Sequence, residues 1–418
     1  MNSFYDLYYH LLDSAVNKTI DDELKNKENL LDFDEHHLDC LLNPDKHPTV
    51  IRLGNCDCSE EQKEKCKNIC EFNAMVKDDD GNFNVIDDRC LGCSKCIESC
   101  IKENITDRKD LLPIFELINN DVAPVYAMIA PAFMGQFSED VTPGKLRSAF
   151  KALGFSGMIE VALFADILTL KEALEFDHSI KTDEDFLLTS CCCPMWIGMI
   201  KKVYNDLVPH IPPSVSPMVA CGRSIKKIHP EAKTVFIGPC VAKKAESREK
   251  DIADSTDYVM TFQEVKDCFK IAGIDPKNLE EDLRDHSSKA GRIYAHTGGV
   301  SEAIESTLYR LRPDRKIPFK SKQANGVPQC RELLNEIKEG KITANFLEGM
   351  GCVGGCVGGP KIIIDKEQGR EFVENYGEEA QYKTPADNPY VIELLHRLGY
   401  ETIETLLKND NMFIRNMF

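Results

Sequence analysis

DFLLTSCCCPMWIGMIKKVYNDLV, residues 185–208, reads as a strand, three consecutive thiols and then a helix. The strand is DFLLTS and the helix is MWIGMIKKVYNDLV. Between them lie Cys191, Cys192 and Cys193, directly before Pro194. Neighbouring side chains on an extended backbone point to opposite faces, so one metal ion cannot easily bind all three.

The same alternation runs outward in both directions. APVYAMIAPA, MIEVALF, TVFIGPC, GRIYAHT and TANFLEGM read as strands. TPGKLRSAFKALGF, ADILTLKEALEF, SPMVACGRSIKKIH, VSEAIESTLYRL and QCRELLNEIKEG read as helices. Strands alternating with helices indicate parallel α/β layers. Ligand sites in such layers gather beyond the carboxyl ends of strands, and cysteines recur there. Cys240 ends TVFIGPC, and Cys352 and Cys356 follow TANFLE. With one thiol of the triple they make four, the number a cubane needs. The glycines around Cys352 and Cys356 allow close backbone approach. Cys221, Cys268 and Cys330 fall on helix faces as small buried hydrophobes.

Residues 56–100 are of another kind, with eight cysteines and little hydrophobic periodicity. CLGCSKCIESC gives Cys90, Cys93, Cys96 and Cys100 in the C-x2-C-x2-C-x3-C run of bacterial ferredoxins, whose fourth cysteine ligates the other cluster. Upstream, CDCSEEQKEKCKNIC gives Cys56, Cys58, Cys66 and Cys70 with irregular spacing but the same final step. Cross-ligation then assigns Cys56, Cys58, Cys66 and Cys100 to one 4Fe–4S cluster. It assigns Cys70, Cys90, Cys93 and Cys96 to a second. A pair of zinc knuckles is the competing reading, and the upstream run alone does not decide between them. Two cubanes in series suggest electron transfer.

The chain has 418 residues, 18 cysteines and a formal net charge of −18. The charge argues against nucleic acid or an anionic membrane as main partner, and no apolar run is long enough to span a membrane. The N-terminus lacks a secretory pattern, which points to the cytoplasm and away from a disulfide scaffold. Residues 1–50 read as one or two helices and a linker, NPDKHP. His36, His37 and Cys40 in HHLDC read as a solvated helix end. Residues 51–108 form the two-cluster domain, a short link follows, and 118–418 form the large α/β domain.

TSCCCPMW, GPCVAKKAE and EGMGCVGGCVGG resemble the three signature segments of the iron–iron (FeFe) hydrogenases, usually TSCCPGW, MPCxxKxxE and ExMACxxGCxxGGG. IAPAF, KALGF, FADILTLKEALEF, SPM and HTGGVSEA are similar to further family segments, in order. The triple cysteine and Met195 resemble the divergent group B type. The resemblance implies an α/β (α+β overall) protein with an H-cluster between two lobes of the large domain: a cubane joined by a cysteine sulfur to a diiron site with carbonyl, cyanide and azadithiolate ligands. By position, Cys193, Cys240, Cys352 and Cys356 would hold the cubane, and Cys356 would bridge. Lys243 would donate to a cyanide. Ala130, Pro131, Ala132, Ser216, Pro239 and Met350 would line the pocket. Cys192 would be the proton donor and acceptor, with Glu172 and Glu175, one turn apart, passing protons to water. An alternative register makes Cys192 the ligand and Cys191 the proton carrier.

The implied activity is reversible H2 oxidation, with electrons passing to a ferredoxin-like carrier and maturation proteins installing the diiron unit. Two alternatives share the motifs: a non-catalytic iron–sulfur assembly scaffold and an H2 sensor. The sequence departs from the pattern at several places. Gly238 replaces a methionine, which predicts a roomier, wetter pocket. Met218 replaces a glutamine. Pro212 stands where a relay serine is expected, leaving water or Ser214 to make that link.

Overall fold

The structure, a computed structural model, describes residues 3–25, 30, 32–79, 81–189, 192–408 and 412–417. Eleven strands appear among them: β1 Val50–Arg52, β2 Met75–Lys77, β3 Phe83–Val85, β4 Ile105–Asp107, β5 Val125–Ile129, β6 Gly157–Glu160, β7 Leu187–Leu188, β8 Lys233–Gly238, β9 Tyr258–Thr261, β10 Ser321–Asn325 and β11 Phe346–Met350.

Two parallel sheets make the large domain, one in the order β6-β5-β8-β9 and the other β10-β11-β7. β5 and β8 are nearly continuous apolar runs because helices cover both faces of such a sheet. β11 is buried along its whole length between β10 and β7. The helix Ala162–Ser179 is buried on almost every side, including Glu172.

The opening stretch is fastened to β11 by glycine. A Cβ at Gly349 would stand 2.1 Å from Cε3 of Trp196, and one at Gly351 would stand 2.6 Å from Cβ of Met195. The Trp196 indole N–H donates to the Thr189 carbonyl at 3.1 Å. DFLLTS contributes only Leu187 and Leu188 to the sheet. Ser190 and Cys191 lie outside the described residues.

Several expectations need correction. GRIYAHT is no strand; its first residues complete the helix Lys289–Arg292, and Ile293–Ala295 continue as a 3-10 turn. The cause is Asp166, whose carboxylate accepts from the amides of Ser288 and Gly291 at 2.7 and 2.8 Å and so winds the segment. Residues 1–50 carry three helices, Phe4–Val16, Ile20–Lys25 and Glu35–Leu42, and NPDKHP folds into a 3-10 turn. Arg248 fastens that turn by donating to the carbonyls of Pro44 and His47. HHLDC is solvated only at His36; its other end is buried. Cys40 is buried, with His36 and His47 nitrogens each 3.7 Å from its sulfur, and His36 and His37 bond to the carbonyls of Arg52 and Leu53. Nor are residues 101–120 a bare link. They contain β4, which pairs with β1, and the helix Leu111–Asn120, which packs on Phe4–Val16.

Candidate metal centre

Four strand ends converge. Ala130 follows β5, Cys192 and Cys193 follow β7, Pro239 and Cys240 follow β8, and Cys352 follows β11. Together with Cys356, Lys243 and Met350 they line one cavity. Gly355 makes the last turn possible. Its φ is +84°, and a Cβ there would stand 2.8 Å from the Thr297 amide nitrogen.

Cys193, Cys240, Cys352 and Cys356 are close enough to repel one another as thiolates. Burial first, and the neighbouring thiols second, push Cys240 up to about 11 and Cys356 up to about 12, and hold Cys352 well above the ordinary thiol range. Like-charged sulfurs facing a common space call for a cationic group to neutralise them. The Gly351 amide donates to the Cys193 sulfur at 3.3 Å, support of the kind that orients a ligand. The donor set therefore fits a cubane. Among the described residues no three His, Cys, Asp or Glu side chains close around a single metal ion. The thiols instead stand around the walls of the cavity.

Lys243 is buried on this wall, 2.6 Å from Glu246 Oε2. Burial opposes its charge, but Glu246, Cys240 and Cys356 outweigh that and hold the ammonium above its usual range. Its Nζ also lies 5.8 Å from the centre of the Phe236 ring. That ring corrects another expectation. A Cβ at Gly238 would meet Phe236 Cε1 at 2.9 Å and the Ala130 Cβ at 3.1 Å. Phe236, two residues earlier on the same face of β8, fills the space that Gly238 leaves, so the cavity is walled by an aromatic ring there.

Of the residues expected in the pocket, Ala130, Pro239 and Met350 line it. Pro131 and Ala132 continue from Ala130 into a 3-10 turn. Ser216 instead caps the helix Pro217–Ile228, accepting from the Val219 amide. Glu172 is 1% exposed, while Glu175 keeps 17% side-chain exposure.

The two other thiol sets separate as the cross-ligation pattern expects. Cys56, Cys58, Cys66 and Cys100 line one cavity. Cys70, Cys90, Cys93 and Cys96 line another. The seven residues between Cys58 and Cys66 begin the helix Glu60–Ile69, capped by Ser59, which explains the irregular spacing. The second set faces the main cavity: Cys93 packs in the same apolar cluster as Cys193, Cys240 and Cys352. Gly92 lies against Ala242, where a Cβ would come within 2.7 Å of the Ala242 Cα.

The sequence reading missed Phe236, Glu246 and Lys171. Glu246 was present in the quoted GPCVAKKAE, and its i,i+3 spacing from Lys243 was the available signal. Phe236 and Lys171 gave none.

Comparison with known proteins agrees with this geometry. The NADP-reducing hydrogenase subunit HndD of Solidesulfovibrio fructosivorans is 27% identical over 380 residues, covering 75% of this chain and 64% of that protein. The chain thus spans just under two thirds of that relative's length. The cytosolic iron-sulfur assembly component 3 of Rattus norvegicus is 24% identical, covering 73% of this chain and 78% of that protein. A point variant of apo [FeFe]-hydrogenase HydA1 from Chlamydomonas reinhardtii superposes with a TM-score of 0.54 at 19% identity, over 69% of this chain and 94% of that one, a likeness of fold. Residues 123–360, more than half of the chain, match the family model described as "Iron only hydrogenase large subunit, C-terminal domain", and the chain belongs to that family.

Proposed function

We propose that this protein is an FeFe hydrogenase that interconverts H2 with protons and electrons. The observation that carries the reading is the single cavity lined by Cys193, Cys240, Cys352 and Cys356 together with Cys192, Lys243 and Met350. The four thiols would hold the cubane of an H-cluster, and Cys356 would bridge to its diiron part. When bound, that group supplies the two-electron chemistry of H2. The chain's own residues do the rest. Lys243, kept charged by Glu246, offers an ammonium to an anionic ligand. Met350 and Phe236 exclude water from the wall. Cys192 Sγ holds and releases a proton, the Glu172 carboxylate takes it, and Glu175 exchanges it with solvent. Electrons would pass from the main cavity to the set Cys70, Cys90, Cys93 and Cys96, then to Cys56, Cys58, Cys66 and Cys100, and out to a ferredoxin-like carrier.

The scaffold reading has a specific observation behind it, since relatives of similar coverage include the cytosolic iron-sulfur assembly component 3. A scaffold has no use for Cys192, Lys243 and a buried Glu172. One experiment separates the two. The chain is reconstituted anaerobically with clusters and a synthetic diiron precursor, then assayed for H2 from reduced methyl viologen and for carbonyl and cyanide infrared bands. Bands with H2 support the hydrogenase. Full cubane content with neither bands nor H2 supports the scaffold.

A further inference from the structure

The helix Ala162–Ser179 carries a lysine that the proposed chemistry leaves unused. Lys171 is fully buried. Its Nζ donates to Glu175 Oε1 at 2.9 Å and to the Ser214 hydroxyl at 3.0 Å. Ser214 is fully buried too, whereas Glu175 keeps its 17% exposure. The ammonium thus joins an inner hydroxyl to a carboxylate at the water's edge.

A second observation lies across the helix. Pro212 has no hydroxyl to offer. Ser214, two residues on, is held by its amide bond to the Pro212 carbonyl at 2.8 Å, by a β-bridge to Ile414 and by Lys171 itself. The lysine and the serine thus meet two residues from that proline.

We propose that Lys171 is a positioning residue of the proton relay, holding Glu175 and Ser214 beside one another through its two hydrogen bonds. The proposal rests on the hydrogenase reading. A proton from water adds to the Glu175 carboxylate and passes by way of the Ser214 hydroxyl, which takes it up as it releases its own, to the Glu172 carboxylate, restoring the Glu175 carboxylate; Lys171 keeps its own proton throughout. Of the charged groups on the elements packed around this helix, Arg312 and Arg315 bind Asp177 of the helix itself, two residues past Glu175, while Arg292 pairs with Asp285 and Lys289 with Glu302. Glu172 is the other acid on the face that Glu175 shares.

The test uses full-length, cluster-loaded protein carrying Lys171→Met or Lys171→Arg, with Lys171→Gln as the substitute should the methionine variant not fold. In the neutral variant H2 evolution falls by about tenfold or more at unchanged iron content. Lys171→Arg restores it, because arginine keeps the charge and cannot give up its proton. A second readout needs no diiron site. In protein holding only its cubanes, Lys171→Met and Glu175→Gln are coupled by about tenfold in the unfolding constant at pH 7. An unchanged rate and no coupling would overturn the proposal. So would a folded arginine variant as impaired as the neutral one, since that makes Lys171 a proton carrier. Wild-type protein with full clusters and no H2 would sink the hydrogenase reading and the relay with it, while the coupling measurement would still report whether Lys171 and Glu175 act as a pair.

Discussion

Asp107→Asn tests how residues 51–108 are joined to the large α/β domain. Asp107 ends β4 and is fully buried. Its Oδ1 accepts from Lys109 at 3.0 Å and Lys361 at 2.9 Å, and its Oδ2 from Lys244 at 3.0 Å. Glu264 shares Lys244 at 2.8 Å and Lys109 at 3.4 Å. Two carboxylates therefore face three ammoniums, and the substitution leaves one against three. Breaking a buried pair by removing one partner costs about 3–5 kcal/mol. Burial alone would raise Asp107, but Lys109, Lys244 and Lys361 overcome it and hold the carboxyl well below its ordinary value. Its stabilisation is therefore complete above the unfolded value of about 4 and is lost as pH falls below that toward the depressed folded value. Lys109 has the opposite sign: burial opposes its charge, Asp107 and Glu264 raise it, and its stabilisation is lost only above about pH 10. Anaerobic urea unfolding of iron-matched samples, followed by circular dichroism, should show a gap of about 3–5 kcal/mol between wild type and variant. The gap should be flat from about pH 6 to 8 and narrow in acid below about pH 4. A gap under about 1 kcal/mol, the range of exposed pairs, or one that widens on acidification, would refute the reasoning.

Gly349→Ala should force the Trp196 ring from its place, since the new Cβ would lie 2.1 Å from it, at a cost of about 1–3 kcal/mol. Trp196 is the sole tryptophan, so its fluorescence reports the shift directly, and an unchanged spectrum would contradict the packing. Cys193→Ala should lower iron content by about one cubane, four irons, whereas Cys192→Ala should keep the iron and abolish turnover. Loss of one cubane's iron in Cys192→Ala, with iron and turnover kept in Cys193→Ala, would establish the other register. Gly92→Ala, at φ +67° and against Ala242, should leave iron content intact while slowing H2 evolution driven by an external donor; equal rates would mean that the arm does not carry the electrons.

The parallel layers were legible because a buried parallel strand is an apolar run, and VYAMI and VFIG can hardly be read otherwise. The cavity was legible because its cysteines sit at the ends of those strands. What failed to show depended on partners far along the chain. GRIYAHT has the apolar content of a strand, yet Asp166, 122 residues from Ser288, winds it into a helix. HHLDC looked solvated until His47 and the strand β1 closed over Cys40. Gly238 suggested empty space, because nothing in the sequence says that a ring two residues earlier on the same strand face turns into the site. Lys171 within LKEALEF reads as an ordinary helix charge, and only its contacts with Ser214 and Glu175 distinguish it.

The departures from the family pattern are compensated locally. Gly238 gives up a side chain, and Phe236 supplies a ring at the same wall, with Lys243 over its face. Near Pro212, which has no hydroxyl, the Ser214 hydroxyl accepts from Lys171. The cavity itself keeps its thiols, its lysine and the close glycine contacts that bring them together. Under the proposed function, rate and gas sensitivity should therefore follow the cavity wall around Phe236 and the Lys171 contacts, and cluster binding should follow the thiols.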